Sequence, residues 1–184
     1  IAQVGEVVAS RVMELTRPGD TILLLAGKGH NGDDVRAVAN HLSEREVSLL
    51  SVTDPAKTRQ KLPLDLDPAP ALVVDGLFGI GLNRPLNADW MQVIAQVNAK
   101  RLRVLSVDVP SGVDAATGEM QGAAIRATET LTLGAAKRGL LQPSASEFVG
   151  QLRVAPDIGL APCRETSDLL LGQAEDFTDF PPAR

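Results

Sequence analysis

Short apolar runs that stop in glycine or polar residues set the rhythm of this chain. Ile22-Leu-Leu-Leu-Ala26 lies between Asp20-Thr21 and Gly27, and an unbroken run of this length suits a strand covered on both faces, as in a parallel sheet flanked by helices. The same reading predicts strands at Glu46–Val52, Ala71–Val74, Leu102–Asp108, Ala127–Leu133 and Phe148–Val154. Helical spacing joins Ile1, Val4, Val8, Val12 and Leu15, continues over Val35–Leu42, and returns in Asn87–Asn98 with Trp90, Val93, Ile94 and Val97 on one face. The stretch holding Pro55, Pro63, Pro68 and Pro70 reads as a surface connection with a short helix at most. Ala115–Arg126 reads as a long loop. Strands alternating with helices predict an α/β layered domain with a mostly parallel sheet.

The polar ends of the strands carry the candidate chemistry. After the first, Gly27, Gly29 and Gly32 fall in G-x-G-x-x-G spacing ahead of a helix. Backbone N–H groups at such a helix start suit an anionic ligand, although glycines also punctuate βα turns for steric reasons alone. Asp54 lies where a dinucleotide-binding fold places its ribose-binding acid, but Asp54-Pro55 is also a turn opener. Asp75-Gly-Leu-Phe-Gly79-Ile-Gly81 closes the strand at Val74, and Asp108-Val-Pro-Ser111-Gly-Val-Asp114 closes the one at Val107. In a parallel sheet these ends share one edge, which predicts a common cleft. Ser111 lacks a G-x-S-x-G setting, and only His30 and His41 could serve it as a base, which argues against a serine hydrolase. Lys137 and Arg138 would bring positive charge near the same edge.

Composition narrows the class. The chain has 184 residues, 44% hydrophobic and 22% charged, with net charge −5, which fits one globular domain and offers no basic tract for nucleic acid. Its apolar runs are far too short to span a membrane. A single Cys163 excludes an internal disulfide and a cysteine-cluster metal site, and no signal peptide opens the chain, so a cytoplasmic location is expected. The pattern opens inside an amphipathic helix, and residues 172–184 have the acidic, proline-containing character of a linker, leaving 1–171 as the domain.

Four ordered blocks, Gly27-Lys-Gly-His-Asn-Gly-Asp-Asp34, Val74-Asp-Gly-Leu-Phe-Gly-Ile-Gly-Leu-Asn-Arg-Pro85, Val107-Asp-Val-Pro-Ser-Gly-Val-Asp114 and Gly134-Ala-Ala-Lys-Arg-Gly-Leu140, together resemble the YjeF N-terminal domain family of NAD(P)H-hydrate epimerases. The resemblance implies a Rossmann-like three-layer α/β/α sandwich that interconverts the R and S epimers of hydrated NADH and NADPH. It also implies that His30, Asn31, Gly32, Asp33, Asp34, Gly79, Ile80, Gly81, Leu82, Asn83, Arg84 and Pro85 line the substrate site, with Asp108 at the hydrated nicotinamide end. Asn31, Asp75 and Ser111 would hold a potassium ion, whose hardness suits oxygen ligands. Asp108 would be the catalytic acid/base, with Lys137 orienting the substrate or steadying its charge. A fused dehydratase domain and a homo-oligomeric state are both compatible with the resemblance; nucleic-acid and membrane partners are not expected.

The family usually reads Asn-Asn-Gly-Gly-Asp-Gly where this chain has His30-Asn-Gly-Asp-Asp-Val35. Asp33 is therefore expected to put an extra charge, and Val35 a branched side chain, where a diphosphate should approach. Two alternatives follow: a nucleotide-binding or regulatory module that has lost turnover, and an ordinary NAD-dependent dehydrogenase. The second leaves the Asp75 and Asp108 turns without a role.

Overall fold

The alternation of a strand's side chains decides how the layers form. In β1 (Thr21–Ala26), Ile22, Leu24 and Ala26 enter one apolar cluster while Leu23 and Leu25 enter another on the opposite face. Both faces of the sheet must therefore be covered. The first is covered by α1 (Ala2–Leu15), through Val4, Val8, Ala9 and Val12, and by α2 (His30–Val38), through Val35 and Val38. The second is covered by α3 (Pro55–Asp65) and α4 (Ala88–Ala99), through Leu62, Val93, Ile94 and Val97. The result is the three-layer α/β/α sandwich. The computed structural model describes residues 2–65 and 67–159.

The remaining strands are β2 (Glu46–Ser51), β3 (Leu72–Gly76), β4 (Val104–Val107), β5 (Glu129–Leu133) and β6 (Gln151–Ala155). All neighbours pair in parallel, in the order β2-β1-β3-β4-β5-β6. The chain leaves β1 toward β2 on one side and resumes at β3 on the other, so the topological switch point lies between β1 and β3. Among the described residues, no helix is long and apolar enough to cross a membrane.

Several local expectations change. The helix after the glycine turn begins at His30 rather than Val35 and gives way to a 3-10 turn at Ala39–His41. The proline-bearing segment is more than a connection: α3 is eleven residues long, and Leu62 is fully buried. Phe148 and Val149 belong to a short helix, α5 (Ser146–Val149), and not to the last strand. Gly150 separates the two at φ +60, where a Cβ would lie 2.4 Å from the carbonyl oxygens of both Ala127 and Thr128. The loop after Asp114 folds back on itself, Val113 bridging Met120. Cys163 and the linker-like 172–184 lie outside the described residues.

Candidate active site at the switch point

A cavity of about 1010 Å³ opens over the carboxyl ends of β1, β2, β3 and β4, large enough for a substantial ligand. One wall is the start of α2. Gly27 is there for packing, since a Cβ would meet the Leu77 carbonyl oxygen at 1.9 Å, and Gly32 likewise would meet that of Gly27 at 2.0 Å. A Cβ on Gly29 would touch nothing within 4 Å, and Gly29 caps α2 with no side-chain acceptor for the helix's first N–H groups. Those donors are left to a ligand in the cavity, where Lys28, Gly29, His30, Asn31 and Asp34 all contribute to the wall.

The opposite wall is the segment after β3, Leu77 to Asn87, backed by Trp90. Phe78 and Trp90 meet edge to face, with ring centroids 4.7 Å apart. Gly79, Ile80, Gly81, Leu82, Asn83, Arg84 and Pro85 all line the cavity, and Ile80 is its most exposed large apolar side chain at 64%.

Below this lip the three strand ends are stitched together by buried polar groups. Asn31 Nδ2 donates to the Phe78 carbonyl at 2.7 Å and to the Val107 carbonyl at 3.0 Å, joining α2 to the ends of β3 and β4. Its Oδ1 is buried without a hydrogen-bond partner among the described residues. Asp75 is fully buried and receives Ser106 Oγ at 2.8 Å, Ser111 N at 2.9 Å, Ser111 Oγ at 2.6 Å and Leu77 N at 3.3 Å. Burial pushes its carboxyl pKa up, against the pull of those donors. No cationic side chain pairs with it among the described residues, so its charge is compensated only by dipoles. The Phe78 N–H donates to Ser111 Oγ at 2.8 Å, completing a cluster of Asn31, Asp75, Phe78 and Ser111.

Asp108 closes the cavity at the β4 end. It sits at φ +67, in the left-handed region that aspartate and asparagine enter more readily than other non-glycine residues, and its surroundings hold it there. Those surroundings are visible: its N–H donates to the Leu131 carbonyl at 2.8 Å, and its Oδ1 receives Leu133 N at 3.0 Å and the Thr132 hydroxyl at 3.4 Å. Lys137 Nζ forms an ion pair with the same oxygen and a 2.6 Å hydrogen bond to the Leu133 carbonyl. Every side-chain hydrogen bond of Asp108 among the described residues thus falls on Oδ1. Lys137 reaches the site through Asp108 and is not part of the cavity wall. The role of Thr132 was not legible in sequence, because its hydroxyl matters only once β5 lies beside β4.

The two departures in the glycine turn do not obstruct the cavity as the sequence suggested. Val35 is fully buried on the other side of α2, and its Cγ2 lies 2.3 Å from where a Cβ on Gly76 would be. Asp33 and Gly32 are off the cavity wall, and Asp33 Oδ1 is held by Arg36 Nη1 at 2.9 Å. The acid that faces the cavity is Asp34, its pKa raised by burial and by the neighbouring charges of Asp108 and Asp33. Asp54 is not a wall residue either: its Oδ1 caps α3 by accepting from Ala56 N at 3.0 Å and Lys57 N at 3.3 Å.

Comparison with known proteins agrees with this architecture. The family model described as YjeF-related protein N-terminus matches residues 51–139. A protein of Achromobacter xylosoxidans named NAD(P)H-hydrate epimerase is 40% identical, with 76% of each chain covered. One of the same name from Limosilactobacillus fermentum is 35% identical over 75% of each chain, and one from Bordetella bronchiseptica is 39% identical over 78% of this chain and 72% of its own. The crystal structure of the yeast protein ynu0 (YNL200c) superposes with TM-score 0.63 at 18% identity, covering 91% of this chain and 86% of the yeast chain, which shows a shared fold. With the sequence relatives and the fold in agreement, this chain belongs to the YjeF N-terminal family, that of the NAD(P)H-hydrate epimerases.

Proposed function

We propose that the cavity epimerises hydrated NADH and NADPH at the hydrated carbon of the nicotinamide ring. The carrying observation is the placement of Asp108, held at positive φ and fastened through Oδ1, at one end of a cavity whose wall also presents an uncapped helix start. The diphosphate lies against the N–H groups at the start of α2, and the nicotinamide reaches Asp108. The hydrated carbon is bonded to the ring nitrogen, so its hydroxyl departs as water once protonated, the C–O electron pair leaving with oxygen. The nitrogen lone pair forms the iminium, and water adding to the other face gives the opposite epimer when it loses a proton. Asp108 moves these protons through Oδ2, while Lys137 keeps the carboxylate oriented and balances its charge.

Asn31, Asp75 and Ser111 would hold a potassium ion. The fit rests on the orphaned Asn31 Oδ1 and on a fully buried Asp75 carboxylate with no cationic partner among the described residues. A bound cation would supply the missing compensation and pin the three strand ends that shape the cavity. The alternatives lose their motive. The departures at Asp33 and Val35 face away from the cavity, and a dehydrogenase's ribose acid is spent on capping α3. Incubating the protein with the R epimer of hydrated NADPH in potassium buffer and following the S epimer by chromatography tests the proposal; conversion faster than the spontaneous rate is expected.

A further inference from the structure

The cavity's β2 end carries a second piece of recognition that the epimerase chemistry does not use. In a doubly wound sheet the strand beyond the first one faces the adenosine ribose, and an acid there favours a free 2′-hydroxyl while a cation accommodates a 2′-phosphate. Here Thr53 and Pro55 form the wall beyond β2, and the carboxylate between them, Asp54, is turned onto the N–H groups of Ala56 and Lys57. Lys28 lies on the same cavity, at the end of the neighbouring β1, exposed and without an ion-pair partner among the described residues. Of the other cations at this corner, Arg36 is committed, Nη1 to Asp33, Nη2 to the Gly27 carbonyl at 2.7 Å and Nε to Ser51 Oγ at 3.4 Å, and Lys57 pairs with Asp54 Oδ2 at 3.9 Å. Asp34 shares the cavity from α2, one residue beyond the helix's first turn, where the charges of Asp108 and Asp33 both act on it.

We infer that Lys28 binds the adenosine 2′-phosphate, so that the protein prefers hydrated NADPH to hydrated NADH. This rests on the epimerase reading for the identity of the substrate and on the nicotinamide lying at Asp108. A dinucleotide laid from Asp108 across the start of α2 delivers its adenosine to the corner between β1 and β2. There a phosphate meets the uncommitted ammonium of Lys28, while the Asp54 charge is offset by its two N–H donors and by Lys57 at 3.9 Å, so a charge-assisted contact with Lys28 forms.

Calorimetric titration with adenosine 2′,5′-bisphosphate and with adenosine 5′-monophosphate reads the contact without any turnover. The wild type is expected to bind the bisphosphate about tenfold more tightly. Lys28→Met, which keeps the side chain's bulk, should abolish that difference, and Lys28→Arg should keep most of it. Equal binding of the two nucleotides by the wild type, or an equal loss of both in Lys28→Met, would overturn the inference. Failure of the epimerase reading looks different: neither hydrated dinucleotide would be converted, whatever the titrations show.

Discussion

Arg36 Nη1 lies 2.9 Å from Asp33 Oδ1, and the same guanidinium donates to the Gly27 carbonyl at 2.7 Å. The acid that replaces a glycine of the family pattern is thereby tied to its own helix, one turn on, and kept off the cavity. Asp33→Gly should accordingly change nucleotide affinity by less than about twofold, because a half-exposed i, i+3 pair is worth only a few tenths of a kcal/mol. Titration calorimetry checks this; a marked gain in affinity would show that the Asp33 charge reaches the ligand after all.

Val35 and Gly76 form a second compensating pair. The Val35 side chain occupies the space that a side chain on Gly76 would need. Val35→Gly should therefore destabilise the protein by about 2–4 kcal/mol, combining a core cavity with glycine's cost in a helix. Gly76→Ala should also destabilise it, by overpacking. Urea unfolding of both variants measures this, and a neutral Val35→Gly would mean the core closes over the gap.

The Asp75 cluster predicts a specific cation effect. Potassium chloride should raise the melting temperature above that in tetramethylammonium chloride of equal ionic strength, and Asp75→Asn should remove the difference. Identical melting in both salts would leave Asn31, Asp75 and Ser111 as a purely structural cluster.

Far from the cavity, at the amino end of β5, Glu129 is buried between Arg11, at 2.6 and 2.7 Å, and Arg153 at 3.2 Å. Burial alone would raise its pKa, but the hydrogen bonds and charge of Arg11, then of Arg153, outweigh that and hold it below the ordinary carboxylate value. The sign follows: the contribution is whole above the unfolded-state pKa of about 4.3 and is lost as pH falls through the lower folded value. Asp75, with its raised pKa, gains stability on acidification, so only a difference between variants isolates Glu129. Glu129→Gln should cost about 3 kcal/mol at neutral pH and show a shallower loss below about pH 4.5 than the wild type in chemical unfolding. Parallel curves for the two proteins would contradict the assignment.

The sheet and its functional edge were legible because uninterrupted apolar runs ending in Asp, Ser and Gly have few other uses in a parallel α/β fold. What stayed hidden depends on direction about a helix axis. Asp33 and Asp34 are adjacent in sequence, yet one faces Arg36 and the other the cavity, and only the helix starting at His30 decides which. Val35 looked obstructive for the same reason. The Asp108–Lys137 pair spans 29 positions and exists because β5 lies beside β4. Phe148 read as strand because Phe148-Val149 leads straight into the alternating Gln151-Leu-Arg-Val154; the left-handed backbone at Gly150 separates helix from strand.

In the proposed mechanism Asp108 moves the proton in epimerisation, and Asp108→Asn probes that role while keeping the side chain's size. Asparagine tolerates the left-handed backbone at φ +67 and keeps an oxygen for Leu133 N, so fold and much of the nucleotide binding should survive. Conversion of the R epimer of hydrated NADPH should be measured for both proteins at saturating substrate, with binding checked by calorimetry. Turnover is expected to fall by about 10²-fold or more with affinity largely retained. Undiminished turnover in Asp108→Asn would contradict it.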